Sequence, residues 1–550
     1  MRRLPPPSPS RRPLFIGGAI LGIAMLAAAG ALFLRLRDED AGVLVQPASY
    51  TEGIAGTWQR INPLFASAND VDQDLSALVF AGLVRAGADG TIEPDLAASL
   101  PEISQDGRTY TFRLRKDLEW HDGTAVTSRD VSFTISRMAD PAFKGDPVLA
   151  ESWSGIEVET PDSTTVIFRL RQASAPFLAR NATLGILPEH LLGGLNAQQL
   201  YEAPFNAKPI GSGPYQVESL DAAGAELTAY AAYHLGRPEL PRIRIRFYPD
   251  SPAAIRAITA GEIDGFLLRE SASEAQLTEL TRAKGMRVEQ LQRAAEIVLY
   301  LNNDQAAYFA DPRVRRAINL AIDREALVSR VFYGAATPSS SAIAPGTWAH
   351  SDDFDQREAR LEEARRLLDE AGWKQSATTG ILTREGNEFR FTIRTDNDPT
   401  RVAAAVDVAN QLQPLGIRVN VQSTTFSVLR KDFLQERKYD AAVAGWDQGI
   451  DPDPYFGWHS SQLGSAGLNL ANFGDVVMDE LIAKARTSHD PEVRREQYRQ
   501  FQEKWDDLAP SVVLAYPRYV YVHTTALKGF TPGVLFTPSQ RFLDVHKWRT

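Results

Sequence analysis

The stretch from Val79 to Met138 constrains this chain most, because its turn chemistry fixes where each short element begins and ends. Asp89-Gly90 and Asp106-Gly107 put glycine where the backbone needs a positive φ, so each pair reads as a tight turn. After the second turn Tyr110, Phe112 and Leu114 alternate with Thr111, Arg113 and Arg115, the period of a strand with one apolar face. His121-Asp122-Gly123-Thr124 closes that strand. Thr127 or Ser128 then caps a helix that starts at Arg129-Asp130 and carries Val131, Phe133 and Ile135.

Strands and helices go on alternating downstream. Arg242, Arg244 and Arg246 interleave with Ile243, Ile245 and Phe247, and Asp250-Ser251-Pro252 opens a helix that ends at Gly261. Asp311-Pro312 sets a capping carboxylate before a proline in the first helical turn. The helix it starts is expected to carry Val314, Ile318, Ala321, Ile322, Leu327, Val328 and Val331 near one face. A helix near Glu362–Ala371 stops at Gly372. Val402, Val406, Ala409 and Leu412 form a further stripe, closed by Gly416 and followed by the strand residues Ile417, Val419 and Val421. These helix-then-strand units predict α/β lobes. At 550 residues the chain is too long for one small core, so two or more lobes are expected.

Several function classes fall away on residue types alone. A net charge of −10 argues against nucleic acid as a partner. Cysteine is absent, which removes disulfides, thiolate catalysis, Cys-based zinc sites and lipid attachment together. No Gly-x-Ser-x-Gly elbow, His-Glu-x-x-His helix or Gly-x-x-x-x-Gly-Lys-Ser/Thr loop occurs, so no catalytic residue is assigned and the chain is not an ATPase. The eight histidines are scattered without metal-ligand spacing, and neither a metal nor a cofactor is expected. At the N-terminus Arg2, Arg3, Arg11 and Arg12 precede the uncharged run Leu14 to Leu34, long enough for one membrane-spanning helix. Ala27-Ala28-Ala29 and Ala29-Gly30-Ala31 would serve as cleavage sites for a signal peptide, but the apolar run continues past both, which favours an uncleaved anchor. Arginines before the run and Asp38-Glu39-Asp40 after it place the body outside the cytoplasm. Ser10-Arg11-Arg12-Pro13-Leu14-Phe15 loosely resembles a twin-arginine export signal; a plain basic region ahead of a Sec signal is the simpler reading.

The whole Val79–Met138 stretch closely resembles solute-binding protein family 5, the dipeptide-, oligopeptide- and nickel-binding receptors of bacterial ABC importers. Ile210-Gly211-Ser212-Gly213-Pro214-Tyr215, Ala260-Gly261-Glu262-Ile263-Asp264, Leu301-Asn302-Asn303, Asp311-Pro312-Arg313-Val314-Arg315-Arg316-Ala317-Ile318, Ala371-Gly372-Trp373, Gly445-Trp446 and Asp451-Pro452-Asp453-Pro454 follow in the family's order. The resemblance implies a two-lobed, periplasmic-binding-protein-like α/β fold (type II, large cluster C) behind an N-terminal transmembrane or signal helix. Its expected segments are a leader over 1–42 with the apolar helix at 14–34, a first lobe over 43–292 completed by 512–550, and a second lobe over 293–511. It further implies a monomer on the outer side of the inner membrane that closes over a small solute, first of all a short peptide, and delivers it to ABC permease subunits.

Substrate-binding residues follow from the same resemblance. Trp446 would stand at a strand end facing the cleft, with Asp447 and Asp451 beside it. Peptide-binding relatives carry, three positions after this Trp, an Asp that pairs with the peptide amino group; Gly449 stands there in this chain, so Asp447 is the substitute. Asn69, Asp70 and Asp72 occupy the segment that lies beside an extended peptide in relatives, and Asn469 is a further candidate. The Gly449 departure keeps open a nickel, metal-chelate or other non-peptide receptor, the uncleaved anchor keeps open a membrane-tethered sensor, and a secreted hydrolase is a further alternative.

Overall fold

The Asp-Gly turns act where the sequence puts them. Val84–Ala86 pairs with Ile92–Pro94 around Gly90, and Glu102–Ile103 pairs with Thr109–Arg113 around Gly107, with φ of 82° and 68° at the two glycines. Thr109–Arg113 continues into a four-stranded sheet with Thr165–Arg169 and Glu157–Glu159. The helix Ser128–Met138 starts after Thr127, whose backbone N–H donates to the Asp130 carboxylate at 2.7 Å. The computed structural model describes residues 48–550. The leader, the apolar run 14–34 and the choice between anchor and cleaved signal lie outside the described residues. Among those described, no helix is long and apolar enough to cross a membrane.

One large mixed sheet organises the rest, and its pivot is the long strand Ser511–Thr524. Residues Ser511 to Ala515 pair with Ala295–Leu301, whereas Val520 to His523 pair with Gly265–Leu268 and Arg518 to Thr524 with Met286–Gln292. Beyond Ala295–Leu301 the sheet runs through Ala441–Asp447 and Arg390–Asp396 to Arg418–Thr424. Beyond Gly265–Leu268 it runs through Ser49–Ala55, Arg242–Tyr248 and Gly224–Ala229 to Tyr215–Leu220. The chain therefore passes between the two halves of the sheet at residues 293–294 and again at 516–517. Pro517, which has no N–H to donate, stands at the second passage.

The cores divide along the same line. One cluster gathers Tyr50, Leu75, Phe112, Phe168, Leu227 and Trp548, with a smaller one around Ile255, Phe266 and Val522. On the other side Ala295–Leu301 is buried at every position. Its odd-numbered residues Ile297, Leu299 and Leu301 face one cluster and Val298 and Tyr300 the other, as a strand covered on both faces requires.

Two turns named from sequence clasp each other. The His121 ring accepts from Gly211 N–H at 3.2 Å through Nδ1 and donates to the Gly213 carbonyl at 3.0 Å through Nε2, so it is neutral, and burial pushes its pKa down to about 4. A Cβ on Gly211 would lie 1.9 Å from the Val79 carbonyl oxygen, which is why this position takes no side chain.

Two helical expectations need correction. The single helix expected after Asp311 is two, Pro312–Ala321 and Arg324–Phe332. Asp323 is extended and caps the second through Ala326 N–H, and the buried Arg324 guanidinium reaches back to the Asn319 and Ile322 carbonyls that end the first. In Pro399–Leu412 the buried face is Ala404, Ala405, Val408 and Leu412, and Val406 is exposed. Small alanines let this helix lie close to the sheet, which turns Val406 outward.

Candidate functional site

Ala441–Asp447 is positioned by pairing with Ala295–Leu301 on one side and Arg390–Asp396 on the other, and its alanines and Val443 fill the two cores. Past Ala444 the strand leaves the core, so Trp446 is only half-buried, directly opposite Glu296. Here a cavity of about 400 Å³ opens. Trp446, Glu296, Gln448, Asp453 and Phe456 wall one side of it, Arg180 and Thr183 the other, and Phe536 and Thr537 of the C-terminal segment close an edge. Arg180 ends the short helix Phe177–Arg180, whose Phe177 packs into the first core; Trp458, just past Asp453, packs into a core of the other half. Both halves thus contribute to one concavity.

Its charges are mostly paired. Asp451 meets Arg494 at 2.7 Å, and Asp447 meets Arg293 at 2.6 Å. Asp453 is almost fully buried, lies 3.4 Å from Arg486 and 3.8 Å from Arg180, and its Oδ2 has no hydrogen bond. Burial raises the Asp453 pKa and lowers that of Arg180. Arg180–Asp453 spans the two halves, and the Ala175 N–H donation to the Arg486 carbonyl at 2.7 Å spans them again nearby.

Glu296 differs, having no cation beside it. Its Oε2 lies 3.0 Å from the Tyr516 hydroxyl and 3.3 Å from Gln448 Nε2. The Tyr516 hydroxyl also lies 2.7 Å from the Ser341 carbonyl, which can only accept. A hydroxyl has one proton, so Tyr516 donates to Ser341 and its oxygen receives a proton from Glu296. The carboxyl is therefore the neutral acid, in keeping with burial that raises its pKa to about 8.

The residues expected from sequence separate here. Trp446, Asp447 and Asp451 line the cavity. Asp70 is exposed at the start of the helix Asp70–Val79, 3.5 Å from Arg269. Asn69 caps the helix Asp70–Val79 by accepting from Val71 N–H at 2.9 Å, and Asp72 accepts from Gln59 and Arg60 N–H at 2.8 and 2.9 Å. Asn469 is fully buried and donates to the Phe473 carbonyl at 2.7 Å. The polar atoms of these three residues are committed to turns and caps away from the cavity. Sequence reading missed Glu296, Gln448, Arg180 and Thr183. The signal for Glu296 was present, as a lone acid in the otherwise apolar run Ala295–Leu301. No serine, histidine or lysine lines the cavity among the described residues. The wall offers aromatic surface, hydrogen-bonding groups and charge.

A sequence model of the bacterial extracellular solute-binding proteins, family 5 Middle, matches residues 91–467. The oligopeptide-binding protein AppA of Bacillus subtilis is 29% identical over 520 residues, 93% of this chain and 93% of that protein. Its structure with a nonapeptide superposes with a TM-score of 0.64 at 28% identity, covering 92% of this chain and 99% of AppA. NikZ from Campylobacter jejuni, solved with Ni(L-His), gives 0.69 at 27% identity over 91% and 99% of the two chains. Heme-binding protein A of Haemophilus influenzae is 28% identical over 456 residues, 77% of this chain and 79% of that one.

Proposed function

Since the chain belongs to the bacterial extracellular solute-binding proteins, family 5, we propose that it is the receptor of an ABC importer and captures a short peptide in the cavity beside Trp446. The observation that carries this reading is that concavity, walled by both halves of the sheet and headed by a half-buried tryptophan. The extent of similarity to an oligopeptide-binding protein over 93% of both chains supports a peptide as the cargo. The two halves act as lobes that swing about residues 293–294 and 516–517 and close on a ligand touching both. Trp446 and Phe456 cover its side chains, and Asp447 exchanges Arg293 for a ligand cation. The chain binds without turning its ligand over, works as a monomer outside the cytoplasmic membrane, and hands the peptide to permease subunits.

Thermal unfolding with a panel of di- to nonapeptides tests this. A peptide at 100 times its dissociation constant adds ~2.7 kcal/mol to stability. Mass spectrometry of material co-purifying from the native host identifies the natural cargo. A panel without any stabilising peptide, together with a co-purifying metal chelate or haem, refutes the peptide reading and leaves the receptor reading standing. Turnover of peptide or ester by the purified chain refutes both.

A further inference from the structure

The loop that holds Gln448 against the cavity wall carries a second site. After Ala336–Thr337 the chain runs through the buried Ser339, Ser340 and Ser341 to Asp355. Asp355 Oδ1 gathers three donors: the Ser339 hydroxyl at 2.7 Å and the backbone N–H groups of Ser340 and Ser341 at 3.3 and 3.2 Å. Its Oδ2 has no hydrogen bond, although the side chain is only 2% exposed. That oxygen points at His350 Nε2, 3.4 Å away.

The other side of the ring fixes what His350 offers. Nδ1 lies 2.9 Å from the Ile343 carbonyl, which only accepts, so Nδ1 carries a proton. Nε2 faces two carboxylates, and although burial opposes the charged ring, the Asp355 carboxylate outweighs it and raises the His350 pKa, so a metal at Nε2 takes the place of a proton. Nε2 is also 3.0 Å from Asp352 Oδ1. Two carboxylate oxygens and an imidazole nitrogen, all within 4.8 Å of one another, converge on one point. Tetrahedral Zn²⁺ with bonds of about 2.0–2.1 Å separates its ligand atoms by about 3.3 Å, close to the 3.0 and 3.4 Å found here. Ile343 orients the imidazole and the serine loop orients the Asp355 carboxylate, the outer-shell support that a metal ligand needs. Asp352 is exposed and gives an entry path. Arg357, half-exposed and 3.7 to 3.8 Å from both carboxylates, sits at the mouth and can swing into solvent as a metal enters.

We propose that His350 Nε2, Asp352 Oδ1 and Asp355 Oδ2 form a binding site for a divalent transition metal, with Zn²⁺ the best match and the remaining position open to water. The metal is structural and distinct from the cargo. Ile343 accepts from His350, and the neighbouring Ala342 carbonyl and Ala344 N–H grip the Gln448 amide at 3.1 and 3.0 Å. Metal at His350 therefore pins the segment that sets Gln448 beside Glu296.

Isothermal titration of the chelator-treated full chain with ZnCl₂ tests the proposal without any peptide. One high-affinity site is expected, weakened about 100-fold or more by His350→Ala, as loss of a ligand exceeds the 10–100-fold effect of losing an outer-shell partner. Asp355→Asn also disturbs the serine loop, so the exposed Asp352→Asn is the decisive second variant, expected to fold normally and to bind Zn²⁺ more weakly. The zinc absorption edge of the loaded wild type should report one imidazole and oxygen ligands. Absence of stoichiometric binding by the wild type overturns the proposal, and so does binding unchanged in both His350→Ala and Asp352→Asn.

Discussion

Replacing Glu296 by glutamine isolates the one acid of the cavity wall that has no cationic neighbour. The carboxyl is neutral in the folded chain up to about pH 8, against an ordinary 4.5. Below 4.5 both the folded and the unfolded chain hold the proton, and the group leaves stability unchanged. As pH rises the unfolded chain ionises first, so stability falls progressively until the folded carboxyl also ionises near 8. At ~1.4 kcal/mol per pH unit, that interval corresponds to about 5 kcal/mol, a large part of the total stability of a domain. Glutamine keeps the shape, and its amide can donate to Tyr516 and accept from Gln448, but it does not titrate. Urea unfolding followed by tryptophan fluorescence at pH 5, 7 and 9 should show the two proteins close together at pH 5. The variant should be the more stable by several kcal/mol at pH 9. Parallel pH profiles of the two proteins would refute the assignment of a buried neutral acid, and with it the hydrogen-bond order Glu296 to Tyr516 to Ser341.

Trp446→Ala should weaken binding of any stabilising peptide while leaving the ligand-free melting temperature within a few degrees, read by calorimetry; unchanged affinity removes Trp446 from the site. Arg541 meets Glu52 at 2.8 Å and Asp74 at 2.7 and 2.9 Å, all of them buried. Arg541→Met therefore leaves buried Glu52 without a cation and Asp74 with Arg269 alone, and should cost about 3–5 kcal/mol in denaturant unfolding, whereas an effect below 1 kcal/mol would mean that water reaches the carboxylates. His121, with its pKa lowered from 6.5 to about 4, destabilises the fold as pH falls through that interval, because the unfolded ring takes a proton that the folded ring refuses. The loss should reach about 3 kcal/mol at pH 4 and be missing from His121→Ala, whose stability should be lower already at neutral pH. Gly211→Ala should destabilise strongly or prevent folding, since its Cβ meets the Val79 carbonyl oxygen at 1.9 Å; a normally stable variant would show that the helix end retreats easily.

Local chemistry made much of the fold legible. Turns announced by Asp-Gly, and helices announced by Asp-Pro or Asp-Ser-Pro, rest on interactions within a few residues, and the structure places them accordingly at Gly90, Gly107, Asp250 and Asp311. The misreadings come from partners distant in the chain. The break between Ala321 and Arg324 depends on a guanidinium that also donates to Val513, far away in sequence. The face of Pro399–Leu412 depends on how closely its alanines approach the sheet, which an apolar stripe of valines does not report.

The cavity residues divide for the same reason. Trp446 was legible through the family resemblance, which sets it at the end of an apolar run, and it lines the cavity. Asn69, Asp72 and Asn469 belong to polar residue types that serve caps and turns as readily as ligands, and in this fold their side chains make cap and turn hydrogen bonds. Glu296 shows the converse. An acid inside an unbroken apolar strand contradicts the burial that surrounds it, and burying a carboxyl without a cation is tolerated only when it is neutral and hydrogen-bonded. In this chain that exception stands directly opposite Trp446, three residues after Arg293, where the chain first passes between the two halves of the sheet. Any cationic group entering the cavity lowers the pKa of that acid and draws out its proton. Solute affinity and lobe stability then depend on the same carboxyl, so Glu296→Gln should flatten the pH dependence of both together.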